Sequence, residues 1–140
     1  MNRRLFLATS CSACFLGGAG VLTGAFSSCA GLPVVSAEMK ANSVTIPLSL
    51  FSYEPLRIVR VKGLVYEIAV EKSDDAYRAL LLQCTHAENP LTFTGNRFVC
   101  PLHGSAFDED GRVLKGPAER PLKNLATSIQ GDQLTILIDR

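Results

Sequence analysis

Cys84-Thr85-His86 and, thirteen residues further on, Cys100-Pro101-Leu102-His103 contain both histidines of the chain and two of its five cysteines. Thiolates and imidazoles are the side chains that take iron, zinc and copper. One of each comes from each stretch, so the donor set is two sulfurs and two nitrogens. Such a set suits one tetrahedral zinc, or a 2Fe-2S cluster with cysteines on one iron and histidines on the other. Structural zinc more often pairs Cys-x-x-Cys with a His-x-x-x-His, and Cys-x-His is cramped for two ligands on one ion. The spacing therefore favours iron.

The elements that must hold these donors read as strands. Val44-Thr45-Ile46, Arg57-Ile58-Val59-Arg60-Val61, Leu64 to Val70 and Ala79-Leu80-Leu81-Leu82 are β-branched or apolar runs broken by Gly, Pro, Asp and Lys. Lys62-Gly63 predicts a tight hairpin turn between the second and third, and Ser73-Asp74-Asp75 the loop before the fourth. Gly111 to Leu114, Leu125 to Ile129 and Leu134 to Ile138 continue the pattern, with Gln130-Gly131-Asp132 as a turn. No stretch after the N-terminal segment keeps a helical period for three turns, so the core of about 95 residues is expected to be all-β, a small antiparallel barrel or sandwich. Cys84 and His86, two apart, would share one face if the segment were extended. Pro101 and Gly104 make the second stretch a loop. Between the two, Leu91-Thr92-Phe93-Thr94 and Arg97-Phe98-Val99 predict a hairpin about Gly95-Asn96, which would bring both loops to one end of a sheet.

The chain begins Met1-Asn2-Arg3-Arg4-Leu5-Phe6-Leu7 and runs uncharged to Phe26. This is the layout of an export signal, and it resembles the twin-arginine type that carries folded proteins. Phe26-Ser27-Ser28-Cys29 resembles a lipobox, which makes Cys29 a candidate lipidation site; a retained apolar anchor and a soluble cleaved product are the alternatives. Cys11 and Cys14 fall within this signal, as small apolar residues. The expected organisation is a signal over residues 1–29, a linker over 30–43 and one domain over 44–140. Removing Arg3 and Arg4 from the 14 basic residues leaves 12 against 13 acidic ones, a balance that offers no basic stripe for nucleic acid.

The two donor stretches, Cys84-Thr85-His86 and Cys100-Pro101-Leu102-His103-Gly104-Ser105-Ala106-Phe107-Asp108, resemble the Rieske family. So does the segment Gly116-Pro117-Ala118-Glu119-Arg120-Pro121-Leu122, which looks like that family's proline loop. The resemblance covers residues 44–138. It implies a Rieske-like fold with a cluster-binding subdomain and one 2Fe-2S cluster, Cys84 and Cys100 on the inner iron, His86 and His103 on the outer. It also implies a hydrogen bond from Ser105 to a cluster sulfur, which raises the potential. Asn89 and Leu102 stand where quinol-oxidising members carry a bracing disulfide, and Phe107 where they carry a tyrosine. These departures predict a potential below that of the quinol-oxidising type.

Both histidines being committed to metal, no Ser/His/Asp set remains for independent catalysis. Glu88, Asp108, Glu109 and Asp110 are read as turn and solvation residues. The expectation is thus an exported electron carrier, periplasmic or membrane-anchored, serving a redox partner or an oxidoreductase complex. A ferredoxin-like donor to an oxygenase and a zinc-stabilised binding domain are the alternatives. Export in folded form would protect the ligand cysteines, which as an empty pair in an oxidising compartment would be prone to form a disulfide.

Overall fold

The computed structural model describes residues 33–74 and 76–139. The export signal over 1–29, with Cys29, lies outside the described residues. Among the described residues, twelve strands and one 3-10 turn build the fold. The first sheet comprises β1 (Val34–Lys40), β2 (Ser43–Pro47), β3 (Leu56–Lys62), β4 (Ile68–Ser73), β5 (Ala76–Leu81), β10 (Asn124–Leu125), β11 (Thr127–Gln130) and β12 (Gln133–Leu137), in the order β10-β5-β4-β3-β1-β2-β12-β11. Its two end strands, β10 and β11, are separated in the chain by Ala126 alone. The Thr127 hydroxyl donates to the Tyr77 carbonyl at 2.9 Å, so the sheet curls round into a nearly closed barrel. The second sheet is β6 (Thr92–Phe93), β7 (Phe98–Val99), β8 (Ala106–Phe107) and β9 (Val113–Lys115), in chain order.

The central strands are apolar on both faces because each face has a core to fill. Val59, Val61, Ile68, Val70, Ala79 and Leu81 point into the barrel. Ile58, Ala69 and Leu80, one residue out of step, point to the other side and join Phe98, Phe107, Leu122, Cys84 and Cys100. The period of two thus splits one apolar run between two cores. On the far wall only one face is buried and the alternation is plain. Leu134 and Ile136 of β12 face inward opposite Ile46 and Val44 of β2. Burying a side chain of this size stabilises by about 1.5–3 kcal/mol.

The all-β expectation holds, with three local differences. Residues 34–40, expected as linker, form β1, which pairs antiparallel with β2 and parallel with β3. Ala37 and Met39 pack on the barrel core, an alternation that the mixed polar and small residues of this stretch obscure. The hairpin after β3 is wider than Lys62-Gly63 alone. Leu64 N–H closes a turn on the Val61 carbonyl at 3.1 Å, and pairing resumes only at Val59 opposite Ile68, so the next strand begins at Ile68 rather than Leu64. The third is the 3-10 turn Leu48–Phe51, held against β3 by Arg57, whose Nε donates to the Leu50 carbonyl at 2.8 Å. The hairpin about Gly95-Asn96 is present, with Thr92 opposite Val99 and Phe93 opposite Phe98.

Candidate metal centre

Both donor stretches are tight turns, and both leave the edge of the second core. The first turn spans residues 84–89. A bridge between Gln83 and Pro90 pinches its base, and inside it Cys84 N–H donates to the Asn89 carbonyl and Glu88 N–H to the Cys84 carbonyl, each at 2.8 Å. Glu88 closes it at φ +52°, and the Tyr66 hydroxyl pins its carbonyl at 2.7 Å. The second turn, residues 100–105, is the loop between β7 and β8. Cys100 N–H donates to the Ser105 carbonyl at 2.8 Å and Gly104 N–H to the Cys100 carbonyl at 3.0 Å. Gly104 sits at φ +78°, a conformation that costs glycine nothing and a larger residue strain.

Cys84 and His86 do not share a face, because the segment bends rather than extends. Cys84 is fully buried, whereas His86 is exposed. The second turn repeats this division, with Cys100 fully buried and His103 exposed. The two imidazole rings meet edge to face with centroids 5.1 Å apart. Both thiols are free. Burial pushes the Cys84 thiol up, but the N–H groups of His86 and Ala87, then the Cys100 thiol and the Ser105 hydroxyl, outweigh it and hold the pKa below its ordinary value of 9.0. Backbone and side-chain donors therefore favour the thiolate, the form that binds metal.

Ser105 is fully buried between the second turn and the segment after β9. Its Oγ accepts the Ala118 N–H at 3.0 Å, and its hydroxyl is among the groups that lower the Cys84 pKa. The acidic residues nearby act in turns and ion pairs. The Asp108 carboxylate caps the Arg112 N–H at 2.7 Å, and Asp110 pairs with Arg78 and Arg112. Sequence reasoning did not single out Thr85, whose hydroxyl donates to the Arg120 carbonyl at 2.6 Å. A hydroxyl between two donors carries no signal of its own until its acceptor is placed.

The donor set fits a two-iron group better than a single ion. Two buried thiols and two exposed imidazoles divide into an inner sulfur pair and an outer nitrogen pair, the division a cluster with mixed ligands needs.

The comparisons with known proteins agree. Residues 51–126 match the family described as "Rieske [2Fe-2S] domain". The chain is 42% identical over 55 residues to the cytochrome b6-f complex iron-sulfur subunit 1 of Synechocystis sp., covering 38% of this chain and 31% of that protein. It is 27% identical over 110 residues to the cytochrome b6-f complex iron-sulfur subunit of Synechococcus sp. (strain JA-3-3Ab), covering 75% of this chain and 64% of that protein. In both cases the match spans less than two thirds of the relative's length. Among solved structures, the plasma membrane Rieske protein PetC3 from Synechocystis superposes with a TM-score of 0.51 at 27% identity, over 64% of this chain and 93% of that one.

Proposed function

The chain belongs to the Rieske 2Fe-2S family, and from that premise we propose that it is an exported one-electron carrier in which Cys84, Cys100, His86 and His103 hold the cluster. The two thiolates take the inner iron and the two imidazoles the outer one. When bound, the cluster supplies a reversible one-electron couple, less negative than an all-cysteine cluster because two ligands are neutral. The chain's own residues position and shield it. Cys84 and Cys100 anchor it in the apolar core beside Phe98 and Phe107, and the buried Ser105 donates its hydroxyl to a cluster sulfur. His86 and His103 stand at the surface, where a partner can approach.

The observation that carries this reading is the repeated pairing of one buried thiol with one exposed imidazole in each turn. It is tested by loading the purified chain anaerobically with iron and sulfide. The expected result is two irons and two sulfides per chain and a rhombic paramagnetic signal on reduction; a chain that takes zinc and gives no such signal refutes it. A redox titration is expected to place the midpoint below about +250 mV, under that of the quinol-oxidising type, because Phe107 and Leu102 supply neither a hydroxyl nor a disulfide and Ser105 offsets only part of the drop. The reading extends to export through the twin-arginine-like segment, anchoring through lipidated Cys29, and service to an oxidoreductase complex. The names of the relatives support the last of these. Cell fractionation of the wild type and Cys29→Ala tests the anchor, the variant being expected to move to the soluble fraction.

A further inference from the structure

The wall β3-β4-β5 has two ends, and only one of them carries donors. At the donor end Leu81 of β5 lies opposite Ile68 of β4, and Ile68 opposite Val59 of β3; Cys84 follows three residues beyond Leu81. The Lys62-Gly63 turn is at this end too, and from the residues after it the Tyr66 hydroxyl reaches the Glu88 carbonyl at 2.7 Å. The other end holds the β4-β5 turn after Ser73 and residues 52–55, joined by the Lys72 N–H, which donates to the Pro55 carbonyl at 2.8 Å. The donor sheet keeps the same polarity: Asp110 of its β8-β9 turn meets Arg78 on the side away from the ligand turns. β1 comes in from the end without donors. It runs parallel to β3, with Val34 beside Ile58 and Glu38 beside Lys62, so its first residue points away from both ligand turns. Cys29 precedes Val34 by five residues, a reach of about 17 Å when fully extended. From Val34 the first ligand turn lies three strand spacings across the wall, about 14 Å, and roughly 10 Å further along it. A tether of that length brings the ligand turns to a lipid surface only by doubling back along the barrel at nearly full stretch, whereas the other end reaches the surface with the tether slack.

The two ends also differ in what they expose. Tyr53, beside the β4-β5 turn, is 94% exposed, and an aromatic ring with a polar tip is the kind of side chain that settles where lipid meets water. The donor end exposes His86 and His103, with Pro101 and Leu102 between the ligands of the second turn. We propose that the chain stands on the membrane on residues 52–55 and the β4-β5 turn, so that its ligand turns face the water and meet a water-soluble protein that gives or takes one electron, rather than a quinol dissolved in the lipid. The inference deepens the reading of an anchored electron carrier and rests on it. His86, His103 and Leu102 are the surface that the partner meets, and Tyr53 is the contact with the lipid headgroups. A quinol confined to the bilayer is kept from the imidazoles by the barrel itself, whose strand β3 alone spans about 20 Å from Leu56 to Lys62.

The chain contains no tryptophan, so a single introduced one is a unique fluorescent probe. Tyr53→Trp and Lys62→Trp place it at exposed positions before and at the end of β3. Each full chain is purified from membranes and reconstituted into phosphatidylcholine vesicles that carry a dansyl lipid, and energy transfer from the tryptophan to the dansyl group is measured. Transfer from position 53 is expected to exceed that from position 62 by at least about threefold, given the length of strand between them. Equal transfer, or more from position 62, overturns the orientation and leaves the anchor standing. A wild type that does not stay with the vesicles overturns both. The comparison needs no metal, so its result is separate from the loading experiment that tests the ligands. On protein loaded with iron and sulfide, hexacyanoferrate(III), which stays in the water, is expected to oxidise the outward-facing reduced molecules as fast on vesicles as in detergent. Slowing on the vesicles that detergent relieves overturns the open donor end.

Discussion

The barrel and the donor-bearing sheet share the wall β3-β4-β5 but are held together differently. The barrel has strands of up to seven residues and an interior of aliphatic side chains with Phe51 at its edge. Its ladders and its alternation specify the same register, and no titratable group is needed inside it. In the donor sheet β6, β7 and β8 are two residues each. So short a ladder cannot hold itself together; the sheet leans on Phe98 opposite Phe107, on turns closed by their own backbone, and on residues 118–120. The difference shows how a metal centre can be built at the least regular end of a rigid fold: the long strands supply stability, and the short ones are free to give their chain length to ligand turns.

Predictions follow from that contrast, the greatest effect first. Cys84→Ser or Cys100→Ser is expected to abolish the rhombic paramagnetic signal, while the far-ultraviolet circular dichroism of the barrel stays as in the wild type. Loss of the barrel signal as well would mean that the two regions fold only together. Next in size are core truncations on either side of the shared wall. Phe107→Ala removes about 3–5 kcal/mol of packing and Ile136→Ala about 2–5 kcal/mol. Urea unfolding of Ile136→Ala is expected to shift the global midpoint, whereas Phe107→Ala is expected to show first as faster cluster loss; equal shifts of a single transition would erase the distinction. Gly111→Ala comes third. Gly111 lies at φ +81°, and an added Cβ would approach Leu122 Cβ and both Leu80 methyls at 3.2 Å. The cost is about 1–3 kcal/mol, felt as weakened anchoring of residues 118–122, which are tied to the β8-β9 turn through the Leu122 N–H and the Gly111 carbonyl.

The smaller effects concern charge. Arg78 of β5 pairs with Glu71 of the barrel at 2.8 Å and with Asp110 of the β8-β9 turn, so it spans the two regions. Arg78→Met is expected to cost about 1 kcal/mol, less in high salt because the pairs are partly exposed. Arg60 and Glu67, 2.6 Å apart but within one hairpin and with the guanidinium side chain 65% exposed, give the smallest change. Arg60→Ala is expected to shift stability by less than about 0.5 kcal/mol. If it proves worse than Arg78→Met, the ion pair joining the two regions is not what couples them.

Much of this architecture was legible from residue type and period. The hairpin about Gly95-Asn96 was readable because Gly95, at φ +82°, marks its own turn. The apolar runs of β3, β4 and β5 were readable as strands, though not that they serve two cores at once, since a continuous apolar run does not say what lies on either side. β1 was missed because Ser36, Glu38 and Lys40 dilute a pattern that only Ala37 and Met39 carry inward. At the site, the donor types and spacing indicated two ligand stretches, the second of them a loop. The assumption of an extended Cys84-x-His86 failed because the bonds between Cys84 and Asn89 and between Glu88 and Cys84 curl the segment, burying the thiol and exposing the ring.

The sequence by itself determined the chemistry available: two thiols and two imidazoles in two short stretches, set in a chain whose apolar residues recur at strand spacing. These are properties of side chains and of local backbone preference, and both are written residue by residue. Only the tertiary structure decided which donors are buried, which stand at the surface, and what ties their turns together. A bond from Thr85 to the carbonyl of a residue 35 positions away leaves no trace in residue identities, because every residue carries that acceptor and only folding brings one of them within reach.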